Sequence, residues 1–240
     1  TYTVTPSSYG CVGTNFTATV TVNPGGSVAT LSSSLTPPDI CSGTSFFYHP
    51  TSAAAGPSFS WTRFAVAGIS QAVTTGSGDI NEVLTNTTYL PVTVKYAITT
   101  TSNGCSNTQD IAVNVNPSTA LSTSLTPPAV CSNTVFSYTP FSFTANTSFN
   151  WTRAAVNGIS NAAASGTSNP NETLINTTSG SIAVTYTYNL ITPNGCTNNQ
   201  SVVVNINPTP TLSSTQTPNA VCSGSTFNYI PTSCLLYTSP

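Results

Sequence analysis

The chain has very few charged side chains. Only 3% of its 240 residues are Asp, Glu, Lys or Arg, which leaves a formal net charge of −2, whereas about a quarter of an average globular protein is charged. Three Lys and Arg residues in total cannot follow a phosphate backbone, so we exclude nucleic acid as a partner. A nearly uncharged surface also gives little repulsion between copies, and this favours association.

Methionine is absent, and no long apolar run is present. A membrane-spanning helix needs about 18–20 consecutive apolar residues, and we therefore expect no membrane insertion. The chain starts at Thr1 without a methionine, so we expect it to be an internal fragment of a longer protein.

Low charge does not indicate disorder here, because 38% of the residues are hydrophobic and ten Tyr and ten Phe are present. Disordered chains combine high charge with few aromatic residues. We expect folded domains whose surfaces consist mostly of Ser, Thr and Asn. Such a surface offers many acceptors for O-linked glycans, which would supply the solubility that charge does not.

A repeat of about 90 residues runs through the chain. Trp61-Thr62-Arg63 returns as Trp151-Thr152-Arg153, and Cys105 and Cys196 each end an Asn-Gly-Cys string. Repeat arrays mostly act as spacers, fibres or multivalent surfaces, because each unit contacts little beyond its neighbours. The predicted domains are the C-terminal strands of a preceding repeat (1–24), two complete repeats (25–117 and 118–208), the start of a further repeat (209–233) and a non-native tail (234–240).

The tail is separated because Cys234-Leu235-Leu236-Tyr237 and the residues after it depart from the repeat. They resemble the translated adapter sequence found at the ends of metagenomic reads. A native free cysteine is the alternative interpretation.

Each repeat predicts seven short strands and no helix, because apolar residues alternate with polar ones between turn residues. Asn103-Gly104 is a strong hairpin signal. This pattern indicates an all-β fold of tandem immunoglobulin-like β-sandwiches. In the first complete repeat the predicted strands are Ala29–Leu35, Ser45–Tyr48, Ser58–Phe64, Ile69–Thr74, Ile80–Asn86, Pro91–Thr101 and a last strand through Ile111 and Val115, with a turn at Gly76-Ser77-Gly78.

A combined set of motifs resembles a known family. It consists of Phe-Ser-Trp-Thr-Arg from Phe59, Asn-Glu-x-Leu-x-Asn-Thr-Thr from Asn81, Pro-Val-Thr-Val-x-Tyr from Pro91 and the Asn-Gly-Cys strings. The set is similar to the PKD-like repeats of secreted Bacteroidota cell-surface proteins. The resemblance implies β-sandwich repeats in a large extracellular protein, exported by the type IX route and either secreted or attached to the cell surface. It implies no catalytic residues.

Six cysteines occupy matching positions of the repeats: Cys11, Cys41, Cys105, Cys131, Cys196 and Cys222. Such regularity favours disulfides and an oxidising compartment. Zinc is the competing interpretation, but the chain has no Cys-x-x-Cys motif. Its one histidine, His49, is replaced by Thr139 in the next repeat.

The predicted strand order favours one pairing of these cysteines over another. Cys41 precedes the second predicted strand and Cys105 lies at a later hairpin, so they sit at opposite ends of a sandwich, roughly 25–35 Å apart. A disulfide needs Cα atoms within about 7 Å. We therefore favour Cys41 with Cys196, with Cys131 pairing forward and Cys11 and Cys105 pairing backward, beyond the fragment. Pairing of Cys41 with Cys105 and free cysteines remain alternatives.

Two recurring opposite charges predict structural ion pairs. Arg63 with Glu82 returns as Arg153 with Glu172 at the same spacing. In a chain with so few charges, we expect each pair to tie the third strand to a later one and to fix register. Trp61 and Trp151 alternate with polar residues, and we expect both in the core.

No catalytic set, metal site or cofactor is expected. The one histidine does not recur, so it cannot serve a repeated Ser-His-Asp triad. Asp79, Asn81 and Glu82 carry the hard oxygens that Ca²⁺ prefers, but the next repeat has Asn169 in place of the aspartate.

The sequence therefore predicts a non-enzymatic structural segment of a long secreted protein that forms an extracellular fibre, filament or stalk. Its expected partners are neighbouring repeats and other copies of itself, through exposed sheet edges that accept an added strand. The alternative is a carbohydrate-binding or cell-adhesion module of a surface adhesin that recognises surface glycans.

Overall fold

The computed structural model of the chain describes residues 1–20 and 29–233. The described residues form strands and no helix, which confirms the predicted all-β fold class. None of them forms a helix of the length and apolarity that crossing a membrane requires. The predicted boundary between residues 24 and 25 and the predicted non-native tail, 234–240, lie outside the described residues.

The chain divides into two compact units. Unit 1 comprises Thr1–Thr87 and Val92–Val115, and unit 2 comprises Thr88–Pro91 and Asn116–Pro240. The repeat boundaries inferred from the sequence, 25–117 and 118–208, stay predictions.

The first 20 residues form two small antiparallel ribbons. Tyr2 lies opposite Ala18 in the first, and Ser8 lies opposite Cys11 in the second. Their side chains are exposed throughout. The strands are β1 (Tyr2–Val4), which pairs with β4 (Phe16–Ala18), and β2 (Ser7–Ser8), which pairs with β3 (Cys11–Val12).

The first complete repeat, most of which belongs to unit 1, is a sandwich of a five-stranded and a two-stranded sheet. The larger sheet has the order β5-β11-β10-β7-β8, and the smaller one pairs β6 with β9. The strands are β5 (Ile40–Cys41), β6 (Ser45–Tyr48), β7 (Ser58–Arg63), β8 (Thr74–Ser77), β9 (Ile80–Val83), β10 (Val92–Ser102) and β11 (Cys105–Asn116).

The second complete repeat, in unit 2, has the same topology. Its larger sheet has the order β12-β18-β17-β14-β15, and β13 pairs with β16 in the smaller one. The strands are β12 (Val130–Cys131), β13 (Val135–Phe136), β14 (Ser148–Arg153), β15 (Ala164–Thr167), β16 (Glu172–Thr173), β17 (Ile182–Ile191) and β18 (Thr197–Asn207).

Each core lies between the two sheets and follows from strand alternation. Successive side chains of a strand point to opposite faces, so every second residue of the long strands is buried. In β10, for example, Val94, Tyr96 and Ile98 are fully buried. Burying one such side chain stabilises the fold by about 1.5–3 kcal/mol, and the long central strands therefore supply much of the stability.

Two of the predicted strands are wrong. Within Ala29–Leu35 only Leu31 forms a β-bridge, to Ser52, and the first strand of the repeat begins at Ile40 instead. The backbone of this segment has other partners, since the Leu31 N–H donates to Gln109 Oε1 and the Leu35 carbonyl accepts from the Ala112 N–H.

Within Ile69–Thr74 only Ile69 forms a bridge before β8 begins at Thr74. The carbonyls of Gln71 and Ala72 instead accept hydrogen bonds from the Arg63 guanidinium, so they are unavailable to a neighbouring strand. The predicted turn at Gly76-Ser77-Gly78 is also misplaced, because Gly76 and Ser77 belong to β8.

Candidate functional site

The recurring cysteines fall into two states. Cys41 and Cys196 are disulfide-bonded. The free cysteines among the described residues are Cys11, Cys105, Cys131 and Cys222, and all four are exposed. Because Cys105 is free, the alternative pairing of Cys41 with Cys105 is excluded in this structure.

The two cysteine positions of a repeat lie at opposite ends of its larger sheet. In unit 2, Cys131 pairs with Asn207 at the end of β18, whereas Cys196 directly precedes the start of that strand. Strand β18 has 11 residues, which separates its ends by roughly 35 Å at ~3.3 Å per residue. This distance is far beyond the ~7 Å that a disulfide spans. A repeat of this geometry presents one cysteine at each end.

In unit 1 the Asn-Gly-Cys string forms a two-residue hairpin between β10 and β11. Ser102 and Cys105 are the last pair of the ladder, and Asn103 and Gly104 have φ values of 50° and 77°. Positive φ at both central residues is the signature of a type I′ turn, for which Asn-Gly is the preferred sequence. Cys105 is therefore the first residue of β11, and it is exposed.

In unit 2 the corresponding hairpin contains one more residue, Pro193. The last ladder pair is Ile191 with Thr197, and the loop closes through Thr192, whose N–H donates to the Cys196 carbonyl at 2.9 Å. The Cys196 N–H donates to Thr192 Oγ1 at 3.0 Å. The chain turns within this loop at Gly195, whose φ of 79° lies in the left-handed region that glycine adopts without strain. Cys196 is thus a loop residue, and it is only 3% exposed.

A buried ion pair connects the two sheets of the first sandwich. Arg63 on β7 is 1% exposed, and its Nε donates to Glu82 Oε2 on β9 at 3.0 Å. The hydroxyl of Tyr96 on β10 donates to the same carboxylate oxygen at 2.7 Å. Sequence reasoning found the arginine and glutamate but missed the tyrosine, although its recurrence in the alternating strand was the available signal.

Unit 2 repeats this network. Arg153 donates to both carboxylate oxygens of Glu172, with Nε 2.8 Å from Oε2 and Nη2 2.9 Å from Oε1. The Tyr186 hydroxyl completes it at 2.7 Å. This bidentate geometry is the strong form of an arginine–carboxylate contact.

The electrostatics of this network oppose acid–base chemistry. Burial raises the pKa of Glu172, but the hydrogen bonds from Arg153 and Tyr186 outweigh this effect and hold the pKa below its usual value. Burial and the neighbouring carboxylate raise the pKa of Tyr186. The hydrogen bond to Glu172 raises the pKa of Arg153 despite its burial. All three groups keep their protonation states near neutral pH, so the network fixes the register between sheets.

The calcium ligands considered from the sequence are engaged separately. Asp79 Oδ1 lies 2.6 Å from His49 Nδ1, Asn81 accepts a hydrogen bond from Ser45, and Glu82 binds Arg63. Among the described residues, no group of three or more His, Cys, Asp or Glu side chains is arranged to hold a metal ion.

The two tryptophans are buried in the cores. Trp61 packs edge-on against Tyr96 at a ring-centroid distance of 5.8 Å, and Trp151 does the same with Tyr186 at 5.5 Å. A glycine of the neighbouring strand covers each indole, since a Cβ at Gly76 would lie 2.4 Å from the Trp61 ring. These indoles are unavailable as a surface platform for ligands.

The strand order and the paired sheets define the class of the protein as an immunoglobulin-like β-sandwich repeat protein. Within this class, residues 38–119 match the family described as PKD-like domain. The match covers one of the repeats, and it supports the PKD-like, immunoglobulin-like nature of the repeat.

Solved structures similar to the chain include the N-terminal four immunoglobulin domains of Dscam1, with 12% sequence identity and a TM-score of 0.30. This similarity covers 79% of this chain and 48% of the Dscam1 chain. A titin I-band fragment is 11% identical in sequence, with a TM-score of 0.33, and the similarity covers 75% of this chain and 66% of the titin fragment. An endo-fucoidan hydrolase is 14% identical in sequence, with a TM-score of 0.28, and the similarity covers 87% of this chain and 34% of the hydrolase chain. The chain thus spans about half of the Dscam1 structure. No curated protein matches the chain.

Proposed function

We propose that the chain is a structural segment of a long secreted repeat protein that forms an extracellular fibre, filament or stalk. The observation that supports this function most is the position of one cysteine at each end of a repeat. A protein that used its cysteines to staple single domains would bring both within bonding distance inside one repeat. Here that distance is roughly 35 Å along β18.

In this proposal Cys41 pairs with Cys196, and the same rule continues along the array. Cys131 and Cys222 pair forward, and Cys105 and Cys11 pair backward, with repeats outside this chain. The disulfide-bonded states of Cys41 and Cys196 and the free state of the other four accord with the rule. Every joint of the array would then be held covalently, which suits a stiff extended stalk in an oxidising compartment.

Peptide mapping without reduction tests this proposal on material purified from its native source. We expect a peptide pair that contains Cys41 and Cys196, and pairs that join equivalent positions of later repeats. A peptide pair of Cys41 with Cys105 would contradict the proposal and indicate independent domains on a flexible chain.

Immunoglobulin-like and PKD-like domains are typically extracellular and non-enzymatic, which agrees with secretion or cell-surface attachment. The expected partners are neighbouring repeats and other copies of the chain. A low net charge leaves little repulsion to oppose such contacts.

A further inference from the structure

One loop of unit 2 has an inverted burial pattern. Phe141 is 53% exposed and Phe143 is 59% exposed. Ser142, which lies between them, and Thr144, which follows them, are buried. Proteins usually bury large apolar side chains and expose polar ones, so the reverse arrangement in this loop is informative. The hydroxyls hold the loop in place, since Ser142 Oγ lies 2.9 Å from Thr119 Oγ1 and Thr144 Oγ1 donates to the Ser118 carbonyl.

A third exposed ring completes this aromatic cluster. Tyr89, which belongs to the same compact unit, is 57% exposed. Its ring centroid lies 5.2 Å from that of Phe143 at an interplanar angle of 38°. Phe141 stands nearly perpendicular to Phe143 at 5.6 Å. Tyr89 and Phe143 are therefore two inclined aromatic side chains that are each more than half exposed, and Phe141 packs against Phe143.

The fold does not require this cluster. The first complete repeat has Thr51 and Ala53 where the second has Phe141 and Phe143, and the second has Ser179 where the first has Tyr89. The matching loop of unit 1 alternates in the same way but points small residues outward. A contiguous exposed apolar patch that packing does not need marks a binding surface.

The clefts beside the cluster are lined by uncharged residues. Two clefts adjoin the cluster, with volumes of about 170 and 230 Å³: Tyr89 lines the first, Phe141 lines the second, and Thr144 and Ala145 line both. Their linings hold no Asp, Glu, Lys, Arg or His, and the side-chain amides of Asn146 and Asn194 lie among the lining residues. Asn194 also donates a hydrogen bond to Asn116 Oδ1 at 2.7 Å.

We infer that this cluster, formed by Tyr89, Phe141 and Phe143, is a binding site for a neutral saccharide. The C–H face of a pyranose ring carries partial positive charge and packs on the negative face of an aromatic ring. The side-chain amides of Asn146 and Asn194 in the clefts can form hydrogen bonds with sugar hydroxyls. The absence of charge in both linings favours a neutral saccharide over a sulfated or uronic one. The inference goes beyond the spacer function and does not depend on it.

Surface plasmon resonance of the full chain tests the site, with xyloglucan, galactomannan, xylan and mixed-linkage β-glucan as immobilised neutral probes. Dextran sulfate is the charged comparison. The variants Tyr89→Ser and Phe143→Ala introduce the residues that the other repeat carries at those positions. Phe47→Ser is the matched control, because Phe47 is an exposed aromatic residue of unit 1 and Ser137 stands at its place in the second repeat.

We expect saturable binding to at least one neutral polysaccharide, at least tenfold weaker binding for Tyr89→Ser and Phe143→Ala, and unchanged binding for Phe47→Ser. Circular dichroism should show all three variants folded. The inference is overturned by an absence of binding to every neutral probe, by aromatic variants that bind as well as the parent chain, or by a preference for dextran sulfate. Sedimentation velocity adds a further decisive outcome. A dimer that Phe143→Ala dissociates, without saccharide binding, would assign the cluster to contacts between copies.

Discussion

The two Asn-Gly-Cys hairpins carry the same tripeptide and give its cysteine opposite environments. In unit 1 the type I′ turn leaves Cys105 as an exposed strand residue, and its thiol is free among the described residues. In unit 2 the additional Pro193 lengthens the loop, and Cys196 is buried and disulfide-bonded. The comparison shows that loop length determines whether this cysteine belongs to the ladder or to the loop. The cores of the two repeats share most of their positions and differ at a few, such as Ile98 and Tyr188, so the repeats have a common scaffold.

The largest expected effect tests the shared scaffold. Replacing Arg153 with methionine leaves the carboxylate of Glu172 without its buried partner, and breaking a buried pair in this way typically costs about 3–5 kcal/mol. Arg63→Met should lower the free energy of unfolding of its own repeat by a similar amount. Urea denaturation followed by tryptophan fluorescence measures both. A loss below about 1 kcal/mol in either variant would show that the network contributes little to that repeat.

The next effect concerns the cysteines themselves. Cys196→Ser removes a disulfide and should lower the free energy of unfolding by about 2–4 kcal/mol. Cys105→Ser, the matched variant in the other hairpin, removes an exposed free thiol and should change it by less than about 0.5 kcal/mol. Calorimetry under non-reducing conditions compares the two. Equal destabilisation would contradict the distinction between the two hairpins.

Deleting Pro193 should convert the second hairpin into the two-residue form of the first. Cys196 would then enter the ladder in place of the loop, and its disulfide should form less completely. We expect a destabilisation of about 1–2 kcal/mol and additional thiols that react with maleimide in the folded protein, counted by mass spectrometry. The reciprocal insertion of proline after Ser102 should make Cys105 less reactive. If the deletion variant shows the same number of reactive thiols, the length of the loop does not influence whether the Cys196 disulfide forms.

The smallest effect is a dependence on acid. The folded-state pKa of Glu172 is held below its usual value, so its contribution to stability is complete above the unfolded pKa of about 4.3 and is lost as the pH falls through the folded pKa. The urea midpoint of the second repeat should therefore decrease between pH 6 and pH 3. Glu172→Gln should remove this part of the pH dependence, and a parallel decrease in that variant would assign the loss to other groups.

The long strands could be predicted from the sequence because their alternation is unambiguous. The prediction of Pro91–Thr101 differs by one residue at each end from β10, and Ser45–Tyr48 agrees with β6. The predicted strand at Ile69–Thr74 failed because a distant side chain, Arg63, takes the carbonyls of Gln71 and Ala72. Local patterns contain no information about such a competitor.

The candidate sites show the same limit. The constant spacing of Arg63 and Glu82 identified two members of a network, but the role of Tyr96 depends on strand pairing. The exposed rings of Phe141 and Phe143 could not be found from alternation, because period two is the same whichever set of residues faces inward. Only the buried hydroxyls of Ser142 and Thr144 reveal the orientation of that loop.

The parallel pairing of the first and last strands of the second repeat has a mechanical consequence. Val130 pairs with Ile206 and Cys131 with Asn207 in parallel, and the Ser132 N–H donates to the Asn207 carbonyl at 2.7 Å. A pull on the two ends of this repeat slides these strands along each other in shear. Their hydrogen bonds must then break together, whereas strands that are peeled apart from one end lose their hydrogen bonds one at a time. The resistance of such a repeat to rapid extension is therefore set by a short strand pair at its terminus and not by the size of its core.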